Sequence, residues 1–183
     1  MNDEIKIYNL RIVPDEPVFS EIEGFKRKFE NNFGKQPLSR SKPHITLAQF
    51  LMDKSYENEL IQILNQLSSF PQCMIEIVGF KTFETSKTLY LDVVKSEELA
   101  ALHKQLQIIF MRDLHRRKHF RITNKPHITI SKTLNKEMLY DCKSHYDRLT
   151  YKRQFVVKEI SLVSRFQHKT WNIIHKIPLT ITS

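Results

Sequence analysis

Glycine is scarce in this chain: Gly24, Gly34 and Gly79 are all there are among 183 residues. A phosphate-cradling loop needs several closely spaced glycines, because the backbone must turn tightly and approach phosphate oxygens without a Cβ in the way. P-loop and dinucleotide-fold readings are therefore excluded. Cysteine is as sparse. Cys73 and Cys142 form no CxxC and no framework spacing, so both read as reduced thiols of a cytoplasmic protein. No apolar run approaches the roughly 20 residues that span a bilayer. The first residues, Met-Asn-Asp-Glu-Ile-Lys, contain no apolar segment of the secretory kind. There is no HExxH for zinc and no GxSxG for a serine hydrolase. His115 and His119 are the only histidines at helical i, i+4 spacing, with Asp113 the nearest carboxylate. No metal or other cofactor is expected.

What remains is a basic chain with a core. Hydrophobic residues make up 40% of it and recur along its length, which fits one domain or two tightly joined lobes rather than disorder. The formal net charge is +9 and the pI about 9.5, a surplus that favours phosphorylated or polyanionic ligands.

The chain also contains an exact repeat. Lys42-Pro43-His44-Ile45-Thr46 recurs as Lys125-Pro126-His127-Ile128-Thr129. The hydrophobic patterning predicts the element order β-α-β-α-β-β and then α-β-α-β-β, with one copy opening a strand in each half. Strands are expected at 5–13, 44–51, 74–83, 89–94, 127–133, 155–163 and 171–177. Helices are expected at 15–33, 56–67, 97–115 and 135–149. Two similar lobes around one groove would explain the repeat.

Strand alternation divides the repeat into two faces. His44, Thr46 and Ala48 fall on one face of the first copy, and His127, Thr129, Ser131 and Thr133 on one face of the second. Ile45, Leu47, Ile128 and Ile130 fall opposite, towards a core. The proline before each histidine suits the entry of a strand. Two imidazoles on one groove can work without a metal, one taking a proton from the attacking oxygen and the other giving one to the leaving oxygen. The threonine hydroxyls can donate to phosphate oxygens and stabilise charge that builds there.

Paired His-Ile-Thr strands about half a chain apart resemble the 2H phosphoesterase superfamily, the group of the bacterial 2′-5′ RNA ligase and cyclic phosphodiesterases. The segment from Ile77 to Phe83 is similar to the family's central strand, and the tail from Ile160 through Trp171 to Leu179 to its last two strands. Lys169-Thr170 stand where the family often has a glycine before the final aromatic. The resemblance implies an α+β fold over residues 1–183, bilobal, with two pseudo-symmetric antiparallel-sheet lobes and flanking helices around a central groove. It implies His44 and His127 as catalytic and Thr46 and Thr129 as phosphate-binding. The implied activity is hydrolysis of a 2′,3′-cyclic phosphate or a 2′-5′ phosphodiester, on a nucleotide or RNA end, by a cytoplasmic monomer with no membrane partner. A non-catalytic nucleotide- or RNA-binding module and a 2′-5′ ligase running the reverse reaction are the alternatives.

Further candidates for substrate contact come from position. Phe50 shares strand parity with His44 and can stack a base; because strand ends commonly bend, a place in the core is the equal alternative. Tyr90, Ser131, Arg165 and His168 are candidates for the groove or its rim. The basic run from His115 to His119, with Arg121 and Lys125, reads first as a solvated helix end, the alternative being a surface that draws an RNA backbone or nucleotide phosphate towards the groove.

Overall fold

The computed structural model describes residues 4–115 and 117–181. Fifteen elements run through the described residues, nine of them strands in one curled antiparallel sheet. The strands are β1 (Ile5–Ile12), β2 (Ile45–Asp53), β3 (Cys73–Phe83), β4 (Thr88–Val93), β5 (Lys118–Ile122), β6 (His127–Lys132), β7 (Lys152–Val157), β8 (Glu159–Arg165) and β9 (Asn172–Pro178). The helices are α1 (Val18–Phe33), α2 (Glu57–Leu64), α3 (Glu97–Arg112) and α4 (Lys136–Tyr146), with two short 3₁₀ turns beside α2. The order across the sheet is β7-β3-β4-β6-β2-β1-β8-β9, with β5 paired to β2. The result is an α+β half-barrel of two similar lobes. β1, β2, β8 and β9 make one, and β3, β4, β6 and β7 the other.

The helices follow from local chemistry. Ser96 caps α3, its hydroxyl accepting the Leu99 amide at 3.2 Å, and Glu97 and Glu98 suit the positive helix start. Leu99, Leu102, Leu106, Ile109 and Phe110 bury the stripe that the spacing predicts. Asn135 caps α4 in the same way at 2.9 Å. In β3, Gly79 takes φ +67° at a bulge opposite β4, a left-handed geometry that favours glycine.

Two expected elements are differently built. The run expected as one strand over 155–163 is two strands separated by Lys158 alone, β7 at one end of the sheet order and β8 near the other. No glycine or proline marks that break, so nothing in the local pattern signals it. A single residue can join distant strands only because the sheet curls until its two ends approach. The chain stitches them there. The Leu179 amide donates to the Lys158 carbonyl at 2.8 Å, and Pro71 bridges Thr180. The basic run is the second difference. α3 stops at Arg112, and Lys118–Ile122 forms β5 beside β2 rather than a helix end. Arg117 lies over the Phe120 ring at 4.7 Å. Arg116 of that run lies outside the described residues.

Of the two readings of Phe50, the structure supports the core and not the groove that strand parity suggests. This side chain is 1% exposed, stacked on Tyr8 at 5.4 Å and edge-on to Phe110 at 5.1 Å. A bulge upstream reverses the alternation. Leu10 pairs with Ala48 and Arg11 with Thr46, so Leu47 is an extra residue. Beyond it every β2 side chain changes face, and Ala48 is buried too. We expect Phe50→Leu to lower unfolding stability by about 1–2 kcal/mol in a denaturant titration. KM should not move; a selective rise in KM would restore Phe50 to the groove.

Candidate active site

Around the two repeats, the structure repeats itself. From Lys42 to Gln49 the residues are exposed, buried, half-buried, buried, half-buried, buried, buried and exposed. From Lys125 to Lys132 the sequence of exposures is identical. The prolines and isoleucines go inward, and the histidines and threonines stay half-buried on the other face. Each threonine is followed by a bulge, with Leu47 the extra residue in β2 and Ile130 in β6. The bulge sends two consecutive residues into the core.

This corrects Ser131. It pairs with Leu89 beyond the bulge, is fully buried, and donates to the Lys132 carbonyl at 3.0 Å and the Pro37 carbonyl at 3.3 Å. It does not face the groove. Thr133, placed on the same face by alternation, is buried as well.

β2 and β6 meet at the Ile45–Ile128 register pair. Antiparallel geometry then sets His44 beside Thr129 and Thr46 beside His127, related by a local two-fold. The histidines sit on the diagonal of this square, about 7–8 Å apart at the backbone. Each histidine thus has the threonine of the other copy as its cross-strand neighbour. The charge on His127 is felt at His44, which is consistent with this closeness.

Both rings are held in the same way. His44 Nδ1 lies 2.7 Å from the Lys42 carbonyl and His127 Nδ1 2.8 Å from the Lys125 carbonyl. A carbonyl only accepts, so Nδ1 carries the proton in each ring. In the neutral ring Nε2 then holds the lone pair.

Their surroundings differ. Burial, then the Arg11 guanidinium, depress His44 to about 4. Arg11 stands opposite Thr46 on β1. His127 is also lowered, chiefly by burial; its bond to the Lys125 carbonyl opposes this, the Lys125 ammonium adds to it, and Asp92 opposes it. An aromatic wall supports this second ring. Phe83 and Tyr90 stack at 4.0 Å, and both meet His127 edge-on, at 5.0 and 5.3 Å. Tyr90 pairs with Thr129 as expected of a groove neighbour. However, it is only 1% exposed, because Phe83 covers its face. It therefore braces His127 and offers no free face for stacking. Arg165 is half-buried, with its guanidinium 4.5 Å from the Trp171 ring, on the side of the groove that holds Arg11. His168 is exposed in the loop before β9.

Two residues of this region escape a reading of the motif alone. Arg11 lies on the polar face of β1, and only the β1–β2 pairing brings it to Thr46. Lys26 is more surprising, a lysine 3% exposed on the buried face of α1. Its Nζ donates to the carbonyls of Thr129 at 2.9 Å, Ile130 at 2.7 Å and Leu38 at 3.0 Å, and to Ser41 Oγ at 3.3 Å. It thereby holds the bulge of the second motif against the loop that leads into the first. Burial draws this ammonium down to about 7. Its position in the series Val18, Ile22, Lys26, Phe29 is a signal that the sequence carried, one charge in an apolar stripe.

Comparison with known proteins agrees with this architecture. No curated protein sequence matches. Among solved structures, LigT of E. coli, crystallised with 3′-AMP, superposes with TM-score 0.68 at 14% identity, covering 97% of this chain and 99% of that one. A protein of Thermus thermophilus gives 0.67 at 14% identity over 94% and 97%. The MHV ns2 PDE domain gives 0.52 at 15% identity over 87% and 99%. These likenesses establish the fold. The family model for the 2′-5′ RNA ligase superfamily matches residues 14–169. With that span including both His-Ile-Thr strands and the sheet that joins them, the chain belongs to the 2′-5′ RNA ligase superfamily of 2H phosphoesterases.

Proposed function

We propose that this protein is a metal-independent phosphodiesterase that opens a 2′,3′-cyclic phosphate, or cleaves a 2′-5′ phosphodiester, on a nucleotide or RNA end. The observation that carries this is the pair of Nδ1-anchored imidazoles set diagonally across one square with two threonines. Membership of a phosphoesterase superfamily supports the reaction class. The nucleotide and phosphate complexes of E. coli LigT support the ligand class.

In the ring-opening reaction the phosphorus sits between the two Nε2 atoms. Water attacks it, giving its proton to one imidazole. The bond from phosphorus to O3′ breaks, and O3′ takes a proton from the other, leaving a 2′-phosphate. Thr46 and Thr129 donate to the non-bridging oxygens, where charge accumulates. The unequal surroundings favour one assignment. Groups pushed to different pKa values divide into base and acid, so His44, the more depressed, is the base and His127 the acid. The same residues serve ligation in reverse, and comparing the two directions at equal substrate concentration separates them.

The test is release of 2′-phosphate from a 2′,3′-cyclic nucleotide in excess EDTA, followed against pH. His44 works as the neutral ring, above about 4, and His127 as the protonated ring, below its own lowered value. The kcat/KM optimum should therefore lie on the acid side of the ordinary imidazole value of about 6.5. A bound phosphate anion favours imidazolium, so both limbs of kcat should move to higher pH. Activity lost in EDTA and restored by zinc would overturn the proposal, as would binding without turnover. The latter would leave a pure binding module.

A further inference from the structure

Two arginines on the groove face of the first lobe share one aromatic ring. Arg11 lies over Trp171 with its guanidinium carbon 4.9 Å from the ring centroid, and Arg165 over the same ring at 4.5 Å. Arg11 is 7% exposed. Its Nε donates to Asn9 Oδ1 at 3.0 Å, a neutral partner. The Nε of Arg165 is buried with no partner. Among the described residues, no ion pair joins either guanidinium to a carboxylate. Burial, then the charge of Arg165, lower Arg11 to about 10.

This arrangement is costly as it stands. Two like charges are partly desolvated beside each other, and stacking on an indole recovers only part of that. Three other arginines of the fold are paired with carboxylates: Arg40 with Glu30, Arg153 with Glu21, Arg112 with Asp113. A guanidinium also presents its donors in a planar fork that matches phosphate oxygens. An anion between the two forks would satisfy the free donors and remove the repulsion together.

Position says which anion. Arg11 is the β1 neighbour of Thr46. Arg165 stands on β8 opposite Ile7, four residues along β1 from Arg11, and the two guanidinium groups meet only at the Trp171 ring. The pair therefore extends from Thr46 along the strands, a separation that a nucleoside spans and a bare phosphate does not. We infer that Arg11, Arg165 and Trp171 form a second phosphate site for the 5′-phosphoryl group of a nucleoside whose 2′,3′-phosphate lies between the histidines. The preferred substrate then carries two phosphates one nucleoside apart, rather than a bare cyclic mononucleotide. This rests on the reading that the His44–His127 groove holds a phosphate, but it does not require turnover.

The chain's single tryptophan is the reporter. Titrating adenosine 2′-monophosphate and adenosine 2′,5′-bisphosphate at low salt, we expect the bisphosphate to bind about tenfold tighter and to change Trp171 emission. The monophosphate should produce little change. Arg165→Gln should bring the two affinities within about threefold, Arg165→Lys should keep part of the preference, and Lys28→Gln, on an exposed surface, should keep all of it. A dinucleotide bearing a terminal 2′-phosphate identifies the source. Binding as tight as the bisphosphate means that the site takes a chain phosphate of RNA, and weaker binding means a free nucleotide; both outcomes support the site. Equal affinities in the wild type, or a preference that survives in Arg165→Gln or disappears in Lys28→Gln, overturn it. If cyclic nucleotides are never hydrolysed but the preference holds, the proposed reaction fails and the second site stands.

Discussion

His44→Ala and His127→Ala are each expected to lower hydrolysis of a 2′,3′-cyclic nucleotide by about 10³-fold, within the range of about 10²–10⁴ for a positioned acid or base. Each imidazole makes one local bond through Nδ1, to the carbonyl two residues before it. The fold does not depend on Nε2. Circular dichroism and melting temperature should therefore stay near wild type, which separates lost chemistry from lost structure. The double variant should be scarcely worse than either single one, because an acid and a base acting in one step work as a unit. Their alkaline and acid limbs should separate too: with His44 absent the limb near 4 disappears. If either single variant kept near wild-type kcat with its fold intact, the two-histidine mechanism would be wrong.

Lys26→Met should produce the largest loss of stability. Methionine fills similar space but donates nothing. The carbonyls of Leu38, Thr129 and Ile130 would lose their common donor inside the protein. Leaving a buried acceptor unpaired costs about 1–3 kcal/mol. Relaxation at three neighbouring acceptors should bring the total to about 3–4 kcal/mol, or roughly 10 °C in melting temperature for a chain of this size. Two of these carbonyls, those of Thr129 and Ile130, belong to the second-motif bulge, which sets the orientation of Thr129. We therefore expect kcat to fall about 10–100-fold with KM less affected, since misplacement of a catalytic group by an ångström suffices for that. Lys26→Arg, which keeps donors in the wrong geometry, should recover part of the stability and less of kcat. A Lys26→Met protein with unchanged melting temperature and kcat would show that the carbonyls find other partners.

The repeat made the backbone frame of the candidate site readable in advance. Each His-x-Thr strand carries its facing in its own letters, and the spacing of the copies implied one site made of two halves. Strand parity failed at the next step. It assigned Phe50 and Ser131 to the groove because alternation assumes an uninterrupted ladder, and a bulge announces itself only through its partner strand. Tyr90 was located correctly along β4 but not in depth, because its cover is Phe83, on the neighbouring strand β3. Arg11 and Lys26 are ordinary in sequence. Their roles come from pairings 35 and 103 residues away in the chain, to Thr46 and Thr129. Element type was legible wherever periodicity was strong, as in α3. The break at Lys158 was not, because a strand that leaves one edge and enters another keeps the same hydrophobic content.

That break bears on how the protein selects its ligand. With one residue between β7 and β8, and β2 joined to β6 at the middle of the sheet, the lobes are tied both through the centre and around the back. They cannot swing apart as two hinged jaws can. In the proposed mechanism the spacing of the two histidines is then a fixed gauge, set when the chain folds rather than when a ligand arrives. Recognition by such a gauge depends on the size and charge spacing of what enters, and release of product needs no opening motion.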